Sequence, residues 1–319
     1  RKNLRRHWIP ATAAAALFIT IIIASVSLFI AYRNAERERI RSERTLASFQ
    51  KALGSANPET GAGSSSMGID DFLGLVEQKV ATLASYPCDF VVFPEFFSTP
   101  LIALKPALDS HAAMRSLAAH SQPIVDAMSV LAMKYKVNII AGSMPFLIGK
   151  QLFNIACLCH RNGKVEQQAK LHPTPGEKKD WDMRGGNRLR PFDTDCGRVG
   201  MLICYDVEFP ELPRLLAADG IDILFVPFWT DSKQGYQRVR YCAQARAIEN
   251  EIYVVLAGSV GCMPQVACLD NQYGQSAIFS PSDFGFPHDA IVNEATTNVE
   301  SVLVADLEID KLAHVRKQG

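Results

Sequence analysis

Beyond residue 68 the chain alternates short apolar runs with segments whose apolar positions recur every three or four residues. The runs Asp89–Phe93, Val137–Gly142, Phe153–Cys159, Val165–Lys170, Val199–Cys204, Ile223–Val226, Tyr253–Ala257, Gln275–Phe279 and Ser301–Ala305 read as strands. Ile69–Ser85, Pro123–Tyr135, Pro210–Asp219 and Gln234–Asn250 read as helices. In the first of them Phe72, Leu75, Val76, Val80 and Leu83 line one face. Near-continuous apolar strands are buried on both faces, so helices must cover the sheets. Asn162-Gly163 lies between two strand runs and signals a hairpin, hence at least one antiparallel pair. The pattern predicts one mixed-sheet α/β layered domain, with a short first strand at Thr45–Gln50 and a mobile loop over residues 51–68, rich in Gly, Ser and Pro.

The N-terminal pattern is different. Ile9 to Tyr32 is a run of 24 residues without a charge, bracketed by Trp8 and Tyr32. About 20 apolar residues span a bilayer core, and interfacial aromatics commonly flank such spans. A signal peptide has a shorter apolar region and ends in small residues; this run ends Phe29-Ile30-Ala31-Tyr32-Arg33. The expectation is a basic flank over residues 1–8, a transmembrane helix over 9–32 that meets the lipid bilayer, and a charged juxtamembrane helix over 33–44. Four Lys/Arg precede the run and five follow it closely. That near-tie barely orients a single-pass anchor, and the lean is to a domain on the cytoplasmic side.

Charge changes the picture only locally. The chain has 319 residues, with 33 Lys+Arg balanced by 33 Asp+Glu. A neutral chain lacks the basic surplus that nucleic-acid binding needs. Residues 1–44 nevertheless hold nine basic and three acidic side chains, which suits a membrane surface. The eight Cys show no disulfide spacing, and a chain of this size needs none.

Three strand ends deliver reactive groups. FVVFPE presents the carboxylate of Glu95, AKLHP the amine of Lys170, and MLICYD the thiol of Cys204. Catalytic groups in α/β sheets gather at strand carboxyl ends. Singly, each is more often a salt-bridged Glu, a solvated Lys or a packed Cys; together they point to one site. Cys204 with His172 is an alternative pair of the papain type. The CLCH stretch at 157–160 has the wrong Cys spacing for zinc, and no metal or cofactor is expected. Tyr205, Phe228 and Trp229 stand beside the strand ends as candidate pocket walls. Asp206, Glu208 and Arg184 are candidate substrate or subunit contacts.

From about Asp70 onward the chain resembles the nitrilase, or carbon-nitrogen hydrolase, superfamily. The likeness rests on VVFPEFF with Glu95, KLHPTPGE with Lys170 and Glu177, and GMLICYDVEFPE with Cys204. DILFVPFWTD, ARAIENEIYVV and YGQSAIFSPSD support it. The resemblance implies a four-layer α-β-β-α sandwich, here preceded by one transmembrane helix. It also implies an amidase-type reaction on a small carboxamide, less readily a nitrile, and a homodimer or larger assembly paired through Phe209–Asp219 and Gln234–Asn250. An amide carbon needs a strong nucleophile, and a Cys thiolate suits; Lys170 and a helix N-terminus are expected to favour it. Glu95 would move the protons, Lys170 and the Tyr205 N–H would hold the oxyanion, and Glu177 would orient Lys170. Acyl transfer to an amine, or a scaffold without catalysis, are the rival readings.

Overall fold

The computed structural model describes residues 68–104, 108–262 and 271–317. The expected basic flank, membrane span, juxtamembrane helix and first strand, with all but the last residue of the loop 51–68, lie outside the described residues.

Two mixed sheets and six helices make up the described chain. Helix α1 (Ile69–Ala84) buries Phe72, Val76 and Val80, spaced four apart, and carries Asp70 and Asp71 in its first turn. Strand β1 (Phe90–Val92) follows. Helix α2 (Ser110–Tyr135) is capped by Asp109, whose side chain accepts the Ala112 N–H at 2.8 Å. It therefore starts well before Pro123, which sits inside it. Proline is common at the first position of a helix, which made Pro123 look like a start. The apolar stripe Ala113, Leu117, Ile124, Met128 runs straight through it. A 3-10 turn (Thr99–Leu104) precedes α2.

Strands β2 (Asn138–Ile148) and β3 (Gln151–Cys159) form a long antiparallel hairpin closed by Gly149-Lys150. Strand β4 (Val165–Ala169) pairs antiparallel with β3, as Asn162-Gly163 predicted; Gly163 has φ +89° and Asn162 Oδ1 accepts the Lys164 N–H at 3.0 Å. The first sheet runs β1-β2-β3-β4, with the two-residue β5 (Met183–Arg184) also paired to β3. Between them lies helix α3 (Pro175–Trp181).

The second sheet is built from β6 (Phe192–Thr194), β7 (Gly197–Met201), β8 (Ile223–Phe228), β9 (Tyr253–Gly258), β10 (Ala277–Phe279) and β11 (Ile291–Glu294), in the order β11-β10-β9-β8-β7-β6. Its centre, β7-β8-β9, is parallel. Helices α4 (Glu211–Ala218), α5 (Lys233–Asn250) and α6 (Ile309–Val315) pack on it. Ser301–Ala305, expected as a strand, joins neither sheet; its Ser301 hydroxyl donates to the Val299 carbonyl at 3.4 Å and its Val304 carbonyl accepts from the Asn293 side chain at 2.9 Å. The sheet edge is already taken by β11.

The core has two parts. Phe72, Val76, Met114, Ile124 and Met128 of α1 and α2 pack on Ile139, Ala141, Met144 and Ile155 of the first sheet. The inward residues Ile140, Ala156 and Leu158 meet Val199, Met201, Leu224 and Val226 of the second sheet, which α5 covers with Tyr236, Val239, Ala243 and Ala247. The layers are helices, sheet, sheet, helices, and β8 is buried along its whole length, as a strand covered on both faces must be.

Candidate active site

Glu95 follows Pro94 at the end of β1, where the chain bridges to Ser143 of β2. The β2–β3 ladder shifts register between Ile140 and Ser143. Gly142 makes that shift possible. It has φ +53°, and a Cβ there would overlap the Pro94 carbonyl oxygen; only glycine tolerates both conditions. The Glu95 side chain is buried. Its Oε1 accepts from Lys170 Nζ at 2.9 Å and from Asn154 Nδ2 at 2.7 Å, and its Oε2 accepts the Trp229 N–H at 2.8 Å.

Lys170 is the first residue after β4. Its backbone N–H bonds the Asn154 carbonyl and its carbonyl accepts the Gly186 N–H, both at 2.8 Å. The buried ammonium also donates to Glu177 Oε1 at 2.8 Å. Glu177 enters from α3 as the third residue of a capping box. Its N–H donates to Thr174 Oγ1 at 3.2 Å, and its Oε2 accepts the Thr174 N–H at 2.6 Å. One carboxylate thus caps a helix with one oxygen and holds the lysine with the other. Asn154 Nδ2 lies 3.4 Å from the same Glu177 Oε1, so the amide bridges both acids.

Cys204 comes three residues past the end of β7. It opens a 3-10 turn (Cys204–Glu208) with φ +48°, and its thiol donates to the Trp229 carbonyl at 3.4 Å. Lys170 favours the thiolate, as expected, but it is opposed. Burial pushes the thiol well above the usual range and the Glu95 charge adds to this, outweighing the opposing pull of Lys170. No long helix begins at Cys204, so no strong dipole offsets the burial. The net direction favours the thiol over the thiolate. Burial also raises the Glu95 carboxyl, Lys170 lowers it and Glu177 raises it again, leaving it above the ordinary range. Burial alone would lower the Lys170 ammonium; Glu177, Glu95 and Cys204 instead hold it well above the ordinary lysine range.

The four residues singled out by sequence therefore meet in one buried cluster. Of the aromatics, Trp229 takes part through its backbone, and its ring lies parallel to that of Trp181 at 5.7 Å, with Phe96 edge-on to both. Tyr205 is half-buried and packs edge-on to Phe209. Phe228 is corrected to a core residue. Its ring points to the α5 side of the second sheet, against Tyr236 and so near Gly258 and Gly274 that a Cβ at either would crowd it. His172 does not form a papain-type pair; its ring stacks on Phe209 at 3.9 Å and its Nδ1 lies 3.3 Å from Asp206. Glu208 pairs with Arg238, and Arg184 with Asp182. Asp206 is fully buried, with its oxygens accepting the Leu171, His172 and Ile203 N–H groups. Asn154 and Trp181 carry no clear sequence signal of their part here. A lone Asn inside FNIACLC was the available sign.

A thiol, two carboxylates and one ammonium, buried where two back-to-back sheets end, define a nucleophile-and-base site on a nitrilase-type α/β fold. The chain belongs to the carbon-nitrogen hydrolase family, enzymes that act on carbon–nitrogen bonds other than peptide bonds; the family profile matches residues 52–317. It is 44% identical over 250 residues to the probable hydrolase YhcX of Bacillus subtilis, covering 78% of this chain and 49% of that one. The chain thus spans about half the length of that relative. It is 29% identical over 204 residues to a deaminated glutathione amidase of Synechocystis, covering 60% of this chain and 71% of the other. The crystal structure of Saccharomyces cerevisiae Nit3 superposes with a TM-score of 0.64 at 23% identity, over 81% of this chain and 90% of that one, which speaks for the fold.

Proposed function

We propose that the protein is an amidase-type hydrolase that cleaves a small carboxamide through a Cys204 thioester. The observation that carries this reading is the buried cluster of Cys204, Glu95, Lys170 and Glu177 at strand ends of both sheets. Because the resting thiol is protonated, Glu95 takes its proton as sulfur attacks the amide carbon. The oxyanion is held by Lys170 Nζ and the Tyr205 N–H. That N–H suits an oxyanion because bonding within the turn starts only at Asp206, whose N–H reaches the Ile203 carbonyl. Collapse breaks the carbon–nitrogen bond, Glu95 returns the proton to nitrogen, and ammonia leaves. Glu95 then takes a proton from water, which attacks the thioester; the acid departs and the thiol is restored. Glu177 keeps Lys170 oriented throughout. Tyr205 and Trp229, with Trp181, would contact the substrate. An amide substrate is favoured because an amidase is among the relatives.

The same proposal includes the membrane and the assembly. The uncharged run 9–32 would anchor the domain, on the cytoplasmic side of the bilayer. Leu215 on α4, with Tyr241 and Ile248 on one face of α5, are exposed apolar side chains suited to a homodimer contact.

The test is a panel of small amides followed by mass spectrometry of the protein. Cys204 should carry the acyl group, water should release it, and Cys204→Ala should stay folded with turnover abolished. Release only by an added amine would mean acyl transfer. Full activity in Cys204→Ala would sink the mechanism.

A further inference from the structure

Asp206 lies two residues after the nucleophile and has no side-chain exposure to solvent. The reaction outlined above gives it no part. A buried carboxylate is costly unless its lone pairs are filled, and here they are filled from two directions. Oδ1 accepts the His172 N–H at 2.7 Å and Oδ2 accepts the Leu171 N–H at 3.2 Å. Oδ2 also accepts the Ile203 N–H at 3.3 Å. The His172 ring reaches Oδ1 at 3.3 Å through Nδ1.

These donors flank the two reacting groups. Leu171 and His172 directly follow Lys170 beyond the end of β4 in the first sheet, and Ile203 directly precedes Cys204 beyond the end of β7 in the second. On its other side Lys170 is tied to Asn154 through its backbone. The loop that carries the ammonium is therefore pinned to its own sheet by Asn154 and to the nucleophile's turn by Asp206. Cys204 sits in a left-handed conformation that a non-glycine residue holds only when its surroundings fix it.

Resting on the proposed amide hydrolysis, we infer that Asp206 is a positioning residue that sets the spacing between the Lys170 ammonium and the Cys204 sulfur across the two sheets. An oxyanion must find its sulfur bond and its donors together, and a misplacement of about 1 Å can cost about 10²-fold in rate. The effect falls on the transition state, because the substrate in its ground state needs no such spacing.

The experiment uses Asp206→Asn, Asp206→Glu, Lys170→Ala and the double variant Asp206→Asn with Lys170→Ala. Two readouts serve: ammonia release from propionamide, and the rate at which iodoacetamide, itself a carboxamide, alkylates Cys204. Folding is followed by circular dichroism. Asn offers one acceptor where three backbone N–H groups wait, so kcat should fall about 10²-fold while KM changes less than about threefold. Alkylation should slow by about tenfold or more. Asp206→Glu keeps the charge and the fold but moves both loops, so it should not restore the rate; it is read in place of Asp206→Asn if that variant does not fold. The double variant should be no more than about threefold slower than Lys170→Ala, because one spacing is lost once. Rates within about threefold of the unsubstituted protein in both Asp206 variants, or multiplying losses in the double, would overturn the inference. Turnover that survives Cys204→Ala removes the proposed reaction and this inference with it, and is told apart by that variant alone.

Discussion

At the scale of single residues the site is a balance of buried charges. Glu95 has its carboxyl above the ordinary range, chiefly through burial. It works as a base only when ionised, so the acid limb of kcat/KM should lie above the ordinary carboxylate range. Asn154 donates to the ionised form at 2.7 Å, which favours ionisation. Asn154→Leu should therefore move the acid limb further up, with kcat/KM at pH 6 reduced about tenfold, in line with a lost hydrogen bond to a charged group. A pH–rate profile checks this; an unmoved limb would mean that Glu95 is not the titrating base. Glu95, Lys170 and Cys204 were legible because each follows the end of an apolar strand, whereas Glu177 came only with the family resemblance. Asn154 was not legible, and Asp206 was read only as a candidate substrate or subunit contact, since their work is to fill lone pairs and donors supplied by residues up to 59 positions away. The burial that opposes the Cys204 thiolate was hidden for a related reason: it is a property of the assembled layers.

At the scale of elements, α3 shows how local chemistry serves the site. Thr174-Pro175-Gly176-Glu177 is a capping box with Pro at the first helical position, a signal present in the chain but easily missed in a helix of only seven residues. Thr174→Ala removes the acceptor of the Glu177 N–H. Denaturant unfolding should show a loss of about 1 kcal/mol, and kcat should fall severalfold because the same Glu177 holds Lys170. Unchanged stability would deny the cap its role. The hairpin β3–β4 and the buried strands β7, β8 and β9 followed their sequence signals. α2 did not begin where Pro123 suggested, because a capped, amphipathic helix can carry one Pro when packing covers its face. Residues 301–305 have strand composition but no partner strand, and composition alone cannot supply a ladder.

At the scale of the whole molecule, the proposed anchor and the chemistry should separate. Every residue of the site lies beyond Ile69, whereas the uncharged run ends at Tyr32. A chain starting at Glu43 should leave the membrane fraction and keep its rate on a soluble amide. The full chain should resist carbonate washing, since an apolar span is held by its own transfer energy. Light scattering of the shorter chain should give twice the monomer mass or more, through the exposed faces of α4 and α5. Release of the full chain by carbonate would turn the anchor into a peripheral segment, and a monomer would remove the assembly.

The sequence by itself determined the α/β alternation, the strand ends that carry Glu95, Lys170 and Cys204, and the hairpin at Asn162-Gly163, because periodicity, turn chemistry and strand termination are properties of neighbouring residues. Only the tertiary structure decided that Phe228 faces α5, that Asp206 joins the two reacting loops, and that burial opposes the ionisation of Cys204. Each of these depends on which groups the two sheets bring together and on how much water they exclude, and neither quantity is written in any local stretch of the chain.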